Sequence, residues 1–249
     1  MNDTLGERFT DRLTSAGRER RWPNVRPKDA ATLIVLDRRG AKPKVLMGRR
    51  HLGHKFMPGK FVFPGGRIEP ADRSMPAYGA LHHRAEAALM ARVLRPSPRR
   101  SRALALAAIR ETFEETGLLL GTAEHGGPAA VPEGPWSGFQ ERGVLPDLEA
   151  LQLIARAITP PRRPKRFDTR FFAIDREMIG AEAPGAVGPD SELVELTWVD
   201  LAEARELDLP TITTVILEEL ENRLAAGFAH ELPVPFYFER QGRFVRELL

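Results

Sequence analysis

The chain has 249 residues, of which 42% are hydrophobic, and it carries a formal net charge of +3 at pH 7. This length suits one large domain or one domain with additions, and the composition can bury a substantial core. No apolar run approaches the ~20 residues of a membrane-spanning helix, so we expect no membrane partner. The absence of cysteine excludes disulfides, thiolate metal sites and cysteine nucleophiles.

The charged residues favour a small anionic ligand over a nucleic acid. The 37 basic residues are interspersed with 34 acidic ones, and the small positive excess favours phosphates as partners. The N-terminal segment is rich in arginine but lacks an apolar signal core, and Asp3, Glu7 and Asp11 argue against a transit peptide. We therefore expect a cytoplasmic protein with a small-molecule partner and no nucleic-acid partner.

Three strands are predicted before the first long helix. Residues 31–36 are an unbroken apolar run that predicts a buried strand, and a turn-like Asp-Arg-Arg-Gly sequence follows it. Residues 44–50 predict a second strand, which forms a hairpin with the first. Residues 61–63 predict a short third strand that ends at Pro64-Gly65-Gly66.

Two helices are predicted next. Apolar residues recur at near-helical spacing over residues 77–94, and Pro96 and Pro98 end that segment. A second helix is expected to begin near Ser101, a good N-cap residue. It is expected to end before Gly117, a natural residue for a helix C-terminus.

The C-terminal half is predicted to alternate between helices and strands. Its expected elements are a loop at 121–138, a helix at 147–158, strands at 166–175 and 192–199, a helix at 211–226 and an edge strand at 234–239. The whole order predicts an α+β fold, an α/β/α sandwich in a single domain that spans residues 1–249. A C-terminal helix and tail occupy about 209–249.

Three glutamates share one face of the second predicted helix. Glu111, Glu114 and Glu115 are spaced at i, i+3 and i+4, and like charges at this spacing destabilise a helix by ~0.2–0.5 kcal/mol. A solvated surface explains only part of the pattern, because pairing of Arg110 with Glu114 leaves the other two glutamates facing each other. A divalent cation resolves the conflict, since Mg²⁺ prefers carboxylate oxygens. The cluster alone indicates a metal site and a surface helix about equally.

The residues upstream favour the metal site. A Phe-Pro-Gly-Gly sequence follows a predicted strand, and glycine lets a backbone approach a ligand closely. With these residues the sequence resembles the Nudix hydrolase superfamily, whose box reads G-x₅-E-x₇-R-E-U-x-E-E-x-G-U, with U aliphatic. The matching positions are Gly66, Asp72 in place of the first Glu, Arg110, Glu111, Glu114, Glu115, Gly117 and Leu118.

The box departs from its consensus in two ways. Residues 73–109 hold 37 positions where the consensus has seven, so 30 residues are inserted. We expect this helical insertion, at about 73–100, to form a lid or the contact of a homodimer. Thr112 also stands where the consensus has an aliphatic residue.

The resemblance implies a Nudix-type α/β/α sandwich with a mixed sheet and an inserted helical segment. It also implies that Glu111, Glu114, Glu115 and Asp72 bind Mg²⁺ or Mn²⁺, while Arg110 holds a glutamate in position. Such metal ions neutralise the oxygens of a diphosphate and lower the pKa of a bound water. We expect the three glutamates and Arg110 to be the catalytic residues of a metal-dependent diphosphatase.

A second resemblance bears on the substrate. The split box and the Arg-Phe-Asp-Thr-Arg-Phe-Phe sequence at 166–172 are similar to the coenzyme A diphosphatase branch, whose members release 3′,5′-ADP and 4′-phosphopantetheine from CoA or acyl-CoA. Upstream of the box, Gly59 and Phe63 fit the signature of that branch. Lys55 replaces the expected Arg, and the residue types at Met47 and Arg49 differ. ADP-ribose or another nucleoside diphosphate derivative stays open as the substrate.

Several residues are expected to contact the substrate. Gly65 and Gly66 lie beside the box, and Arg49 and Lys55 are expected to meet phosphates, although a basic hairpin in water is an equal alternative. Arg170 is expected to face inward from an aromatic strand, where it needs an anionic partner. Pairing with Asp168 on the same strand face is the leading alternative to a substrate contact.

Glu192 and Glu195 are candidate bases, and solvated acids at a strand edge are the alternative for each. An isoprenoid diphosphate isomerase of the same fold depends on a catalytic cysteine, which this chain lacks. A non-catalytic ligand sensor usually loses box glutamates, whereas all three are present here. A structural protein with a merely solvated acidic helix fits the Pro-Gly-Gly sequence poorly.

Overall fold

The structure is a computed structural model that describes residues 4–53 and 57–249. Six α-helices lie in these ranges: α1 (Thr4–Ser15), α2 (His83–Met90), α3 (Pro98–Thr116), α4 (Ser137–Glu141), α5 (Leu201–Ala204) and α6 (Thr211–Ala225). Short 3₁₀ helices occupy Ala71–Arg73 and Arg176–Met178. No helix in the described part of the chain has the length and apolar character needed to cross a membrane.

Eleven strands lie in the same ranges. They are β1 (Lys28–Asp37), β2 (Lys44–Arg50), β3 (Phe61–Val62), β4 (Gly65–Arg67), β5 (Leu118–Leu120), β6 (Gln152–Ile158), β7 (Phe167–Asp175), β8 (Ile179–Glu182), β9 (Leu193–Asp200), β10 (Pro235–Arg240) and β11 (Arg243–Leu248). Nine of them form one sheet in the order β11-β10-β6-β7-β1-β2-β3, with β4 also paired to β1 and β9 to β2. β5 and β8 form a separate pair.

The large sheet is mixed. β1 pairs with β7, and β6 with β10, in parallel, whereas the other pairs in the sheet are antiparallel. The central strand β1 is covered on both faces, which is why its sequence is a continuous apolar run rather than an alternating one. Its predicted hairpin with β2 is short, since these strands pair only at Leu36 with Val45 and Asp37 with Lys44.

Two apolar clusters lie on opposite faces of this sheet. Leu33 and Val35 of β1 pack in one cluster with α2 and α3, and Ile34 and Leu36 pack in the other with α1 and α6. Alternate residues of a strand point to opposite faces, so one strand supplies both clusters. The predicted α/β/α sandwich is confirmed.

The helix predicted at 147–158 is wrong, because this segment contains strand β6. Asp147 resembles a helix N-cap, but its Oδ1 accepts from the backbone N–H groups of Glu149 and Ala150 in a turn. The following apolar run pairs with β7 and β10. A short apolar run does not distinguish a buried strand from a buried helix, and pairing with two neighbouring strands decides the outcome here.

The inserted helix is shorter than predicted, since α2 covers eight residues of the expected 77–94. Gly79 and Arg92, on either side of α2, both adopt positive φ, which no helix tolerates. α3 begins at Pro98, three residues before the predicted start, because proline suits the first helical position. Its end at Gly117, with φ of 78°, is confirmed.

Candidate active site

A cavity of about 320 Å³ opens beside the C-terminal half of α3. Glu111 and Glu115 line it from the helix, and Gly65 and Gly66 line it from β4. Glu192, just before β9, lines it from another side. We call this space the carboxylate cavity, because three acidic side chains from two separate parts of the chain line it.

The two glycines allow β4 to lie directly against the acidic face of α3. A Cβ atom on Gly66 would collide with the carboxylate of Glu111, and one on Gly65 would collide with the backbone of Ala31. The backbone N–H of Gly65 donates to Glu115 Oε2 at 3.3 Å. The Pro-Gly-Gly sequence therefore positions two box glutamates by close backbone approach, as the residue types suggested.

Arg110 is the centre of a buried ion-pair network behind this cavity. Its Nε donates to Asp72 Oδ1 at 2.8 Å and its Nη1 to Glu114 Oε1 at 2.7 Å. Nη1 also lies 3.1 Å from Glu111 Oε1. Burial opposes the charged guanidinium, but the hydrogen bonds to Asp72 and Glu114 outweigh it and raise the pKa of Arg110. Arg110 thus holds glutamates in position, as the resemblance implied.

The predicted role of Asp72 as a metal ligand needs correction. Its side chain is 0% exposed and it does not line the carboxylate cavity. Oδ1 accepts from Arg110, and Oδ2 accepts from the backbone N–H of Glu69 at 2.7 Å and from Arg110 at 3.2 Å. Both oxygens are therefore engaged within the protein, and the structure makes Asp72 the anchor of Arg110.

The three box glutamates differ in their surroundings. Burial raises the pKa of Glu111 to about 7, with Arg110 opposing the rise. Burial, followed by the charges of Glu192 and Glu111, raises the pKa of Glu115 well above its usual range. Glu114 does not line the cavity, and its half-exposed carboxylate lies against Arg110.

The carboxylate cavity can be tested for its fit to a divalent cation. Among residues 4–53 and 57–249, no group of three or more His, Cys, Asp or Glu side chains is arranged so that it could hold a metal ion as it stands. The chemistry of the donors still suits a hard cation, because Glu111 and Glu115 place buried carboxylates beside the exposed carboxylate of Glu192 in one cavity. Burial is the main cause that raises the pKa of Glu111 and of Glu115, and a cation between them would favour their charged forms. Hard cations such as Mg²⁺ and Mn²⁺ prefer such oxygen ligands and keep several waters.

The two candidate bases have different positions. Glu192 lines the cavity, where its Oε1 lies 2.8 Å from Nη2 of Arg50. Glu195 lies outside the lining and pairs with Arg49, which the sequence predicted as a substrate contact, at 2.8 Å. The pairing of β2 with β9 shifts register between Arg49 and Arg50, which is where the two neighbouring side chains diverge. The structure thus brings Glu192 and Arg50 into the site and leaves Arg49 and Glu195 at the surface.

Arg170, another predicted substrate contact, is instead buried in the protein. Its side chain is 0% exposed, and its Nη1 lies 2.9 Å from Asp29 Oδ1 and 3.2 Å from Asp168 Oδ2. The internal pairing that the sequence left open is the arrangement observed, and it has Asp29 as a further partner. Lys55, the remaining predicted contact, lies outside the described residues.

Several residues of the cavity were missed by the sequence analysis. Phe167, Thr169 and Phe171 project into it from one face of β7, and Lys165 lies on the loop before that strand. Successive side chains of a strand point to opposite faces. The sequence alone could therefore have placed these three side chains on one face of β7 and Asp168 on the other.

The fold and the site together define a class of protein. An α/β/α sandwich with acidic residues at a helix C-terminus, packed on a Pro-Gly-Gly strand, is the arrangement expected of a Nudix-type fold. A crystal structure of a NUDIX hydrolase from Alicyclobacillus acidocaldarius is similar, with a TM-score of 0.56 and 29% sequence identity. The matched region covers 78% of this chain and 90% of the chain in that crystal structure. The chain is thus similar to a Nudix hydrolase in both fold and sequence.

A curated relative is similar in sequence. The acyl-coenzyme A diphosphatase NUDT19 of Gallus gallus is 30% identical over 201 residues, which cover 61% of this chain and 52% of that protein. The chain therefore spans about half the length of this relative. No protein-family model matches the chain.

Proposed function

We propose that the chain hydrolyses the diphosphate linkage of a nucleoside diphosphate derivative, with CoA or acyl-CoA as the substrate. The observation that carries the proposal is the meeting of Glu111, Glu115 and Glu192 in one cavity with the guanidinium of Arg50. Carboxylates that share one cavity suit a divalent cation, and the adjacent arginine suits a phosphate oxygen.

The side chains can be given separate tasks. Glu111 and Glu115 would hold Mg²⁺ or Mn²⁺, which supplies charge neutralisation of the diphosphate and a water of lowered pKa. Glu192 would accept the proton of the attacking water as the general base, since it faces the same cavity. Arg50 would bind the phosphate oxygens, and Arg110 would keep the Glu111 carboxylate in place.

The rest of the cavity suits a ligand with a flat ring and additional phosphate. Phe167 and Phe171 line it from β7 and offer aromatic faces to a base. Lys165 also lines it and would meet a further phosphate, such as the 3′-phosphate of CoA. The similarity to the acyl-coenzyme A diphosphatase of Gallus gallus supports this choice of substrate.

A substrate panel tests the proposal. The purified chain would be incubated with CoA, acyl-CoA, ADP-ribose, NADH and diadenosine polyphosphates in Mg²⁺ or Mn²⁺, and kcat/KM compared. We expect CoA or acyl-CoA to rank first, with 3′,5′-ADP identified by mass spectrometry. Glu115→Gln is expected to abolish turnover, whereas Glu133→Gln, at an exposed glutamate outside the cavity, is not.

Each alternative has its own outcome. A higher kcat/KM for ADP-ribose than for CoA would overturn the substrate but leave diphosphate hydrolysis intact. Tight binding of a panel member without turnover of any member would indicate a ligand sensor. Full turnover in Glu115→Gln would remove the carboxylate cavity from the reaction.

A further inference from the structure

A second and larger cavity, of about 860 Å³, lies on the other face of β1 and β7. Asp29 and Asp168 are paired neighbours on these strands and line the second cavity, whereas Ala30 and Thr169, the next pair, line the carboxylate cavity. Successive residues of a strand point to opposite faces. The two cavities are therefore separated by the sheet.

The inserted segment of the split box forms much of the wall of this cavity. Residues between the end of α2 and the start of α3 line it, among them Arg92, Arg95 and Ser97. The segment is fixed to the sheet because Arg156 of β6 donates to the backbone carbonyl of Ala91 at 2.9 Å. The insertion thus builds a space that the uninterrupted box would not have.

The residues that line this cavity carry a strong excess of positive charge. Seven arginines and two aspartates contribute to it, with no lysine or glutamate. Four of the arginines, Arg26, Arg73, Arg95 and Arg99, are exposed and form no ion pair with any described residue. Four uncompensated guanidinium groups around one concave space attract anions, and their forked donors match phosphate oxygens.

An inner layer of buried charges also has a positive excess. Asp29 and Asp168 are shared by three guanidinium groups, with N–O distances of 2.5 Å to Arg100, 2.7 Å to Arg156 and 2.9 Å to Arg170. Nε and Nη2 of Arg170 are buried and make no hydrogen bond within the described part of the chain. Burial lowers the pKa of Arg170, against the opposing effect of Asp168. Arg156 and Arg170 are buried and Arg100 is partly exposed. Two carboxylates do not balance these three cations, so an anion nearby would stabilise them.

The N-terminus of α3 opens into the same space. Ser97 and Arg99, on either side of the first helical residue, both line the cavity. The Ser97 side chain makes no capping hydrogen bond, and the first turn contains no acidic residue. Free N–H groups and the positive end of the helix dipole favour an anion at such a position. This contribution adds to the arginines and does not replace them.

We propose that this space, which we call the arginine cavity, binds a small molecule that carries a diphosphate or longer polyphosphate group. The number and spread of the unpaired arginines suit several linked phosphates better than one. Its volume is within the range of about 300–1,000 Å³ typical of small-molecule sites, and Val93 and Ile158 offer apolar surface for a base or chain. The binding is separate from hydrolysis in the carboxylate cavity.

Calorimetric titration with pyrophosphate and with ADP, in EDTA to remove divalent cations, tests this proposal. We expect binding by the wild type and a loss of affinity of roughly tenfold or more in the double variant Arg95→Gln with Arg99→Gln. Both residues are exposed, so the fold should survive, as a thermal melt can check. Arg84→Gln is the matched control, because Arg84 is an exposed arginine of the inserted helix that does not line the cavity.

The variants also separate the two cavities. Glu115→Gln is expected to leave this metal-independent binding unchanged, because the glutamate lies at the C-terminal end of α3 and lines only the carboxylate cavity. The proposal is overturned if neither probe binds, if the double variant binds as tightly as the wild type, or if Arg84→Gln weakens binding equally. These outcomes do not depend on whether CoA is hydrolysed.

Discussion

Asp72 and Arg110 stand 38 residues apart, on either side of the inserted segment, and their side chains meet in a buried ion pair with an N–O distance of 2.8 Å. The pair closes the base of the insertion, so 30 extra residues leave the acidic end of α3 in contact with β4. Both partners are almost completely buried. This ion pair explains how the box residues keep their arrangement although the insertion divides the box.

Loss of the Asp72 charge should be costly for this reason. Asp72→Asn leaves Arg110 buried without its main counter-charge, and breaking a buried pair in this way costs about 3–5 kcal/mol. Urea unfolding at pH 7 would measure the free energy of unfolding. The control is Glu114→Gln, which removes a half-exposed partner of the same arginine and should cost about 1 kcal/mol or less. Equal losses in the two variants would contradict the anchoring role.

Metal binding should depend on Glu115 more than on Glu114. Glu115 lines the carboxylate cavity, whereas Glu114 lies against Arg110. We expect Glu115→Gln to lower the affinity for Mn²⁺ by roughly tenfold or more, as measured by calorimetry on the purified protein. Without metal, the same variant should be at least as stable as the wild type, because it removes a buried charge crowded by Glu192 and Glu111.

An exposed glutamate gives the comparison for this experiment. Glu133→Gln removes one negative charge outside the cavity and should leave Mn²⁺ affinity within error of the wild type. If Glu133→Gln and Glu115→Gln weakened Mn²⁺ equally, general electrostatics rather than a site would account for binding. No Mn²⁺ uptake by the wild type would remove the metal from the proposal altogether.

The box glutamates could be predicted from sequence because their relationship is local. Glu111 and Glu115 are one helical turn apart, and helical geometry alone brings them to one face. The partner of Asp72 could not be predicted in this way, because its ion pair spans the whole insertion. A carboxylate at the right box position looks the same in sequence whether it binds a cation or an arginine.

Arg170 shows the same limit in a strand. Alternation placed it on one face with Asp168, but it has a second partner in Asp29, which the parallel pairing of β1 and β7 brings beside it. Parallel pairing joins segments that are distant in the sequence, so no local sequence pattern predicts it. The helix predicted at 147–158 is wrong for a related reason, since the strand character of β6 comes from its neighbours in the sheet.

Gly66→Ala should lower activity more than stability. A Cβ atom at Gly66 would collide with the carboxylate of Glu111, which is the far end of a flexible side chain, so the variant displaces this carboxylate rather than the helix. We expect a fall in kcat of the proposed diphosphatase and only a small loss in the free energy of unfolding. Gly17→Ala is the control, because a Cβ at Gly17 meets nothing within 4 Å. Full kcat in Gly66→Ala would contradict the role of the close approach between Gly66 and the Glu111 carboxylate.

Three histidines form a stack between the inserted segment and the C-terminal part of the chain, and it should make stability depend on pH. The ring of His230 lies 4.2 Å from that of His82, which in turn lies 4.3 Å from that of His83. Burial lowers the pKa of His230, and the charges of His82, Arg223 and His83 lower it further, against the effect of Glu231. The folded protein therefore binds this proton less readily than the unfolded chain does.

The stability of the folded protein should therefore fall at low pH. Between the ordinary histidine pKa of about 6.5 and the lower folded value, the unfolded state binds more protons, so stability falls as pH falls through this window. His230→Gln should remove this part of the loss, so the difference in unfolding free energy between variant and wild type should shift in favour of the variant from pH 7.5 to pH ~5.5. Urea unfolding at both values measures it. His125→Gln, at an exposed histidine outside the stack, controls for the loss of one imidazole, and an equal shift in that variant would contradict the role of burial.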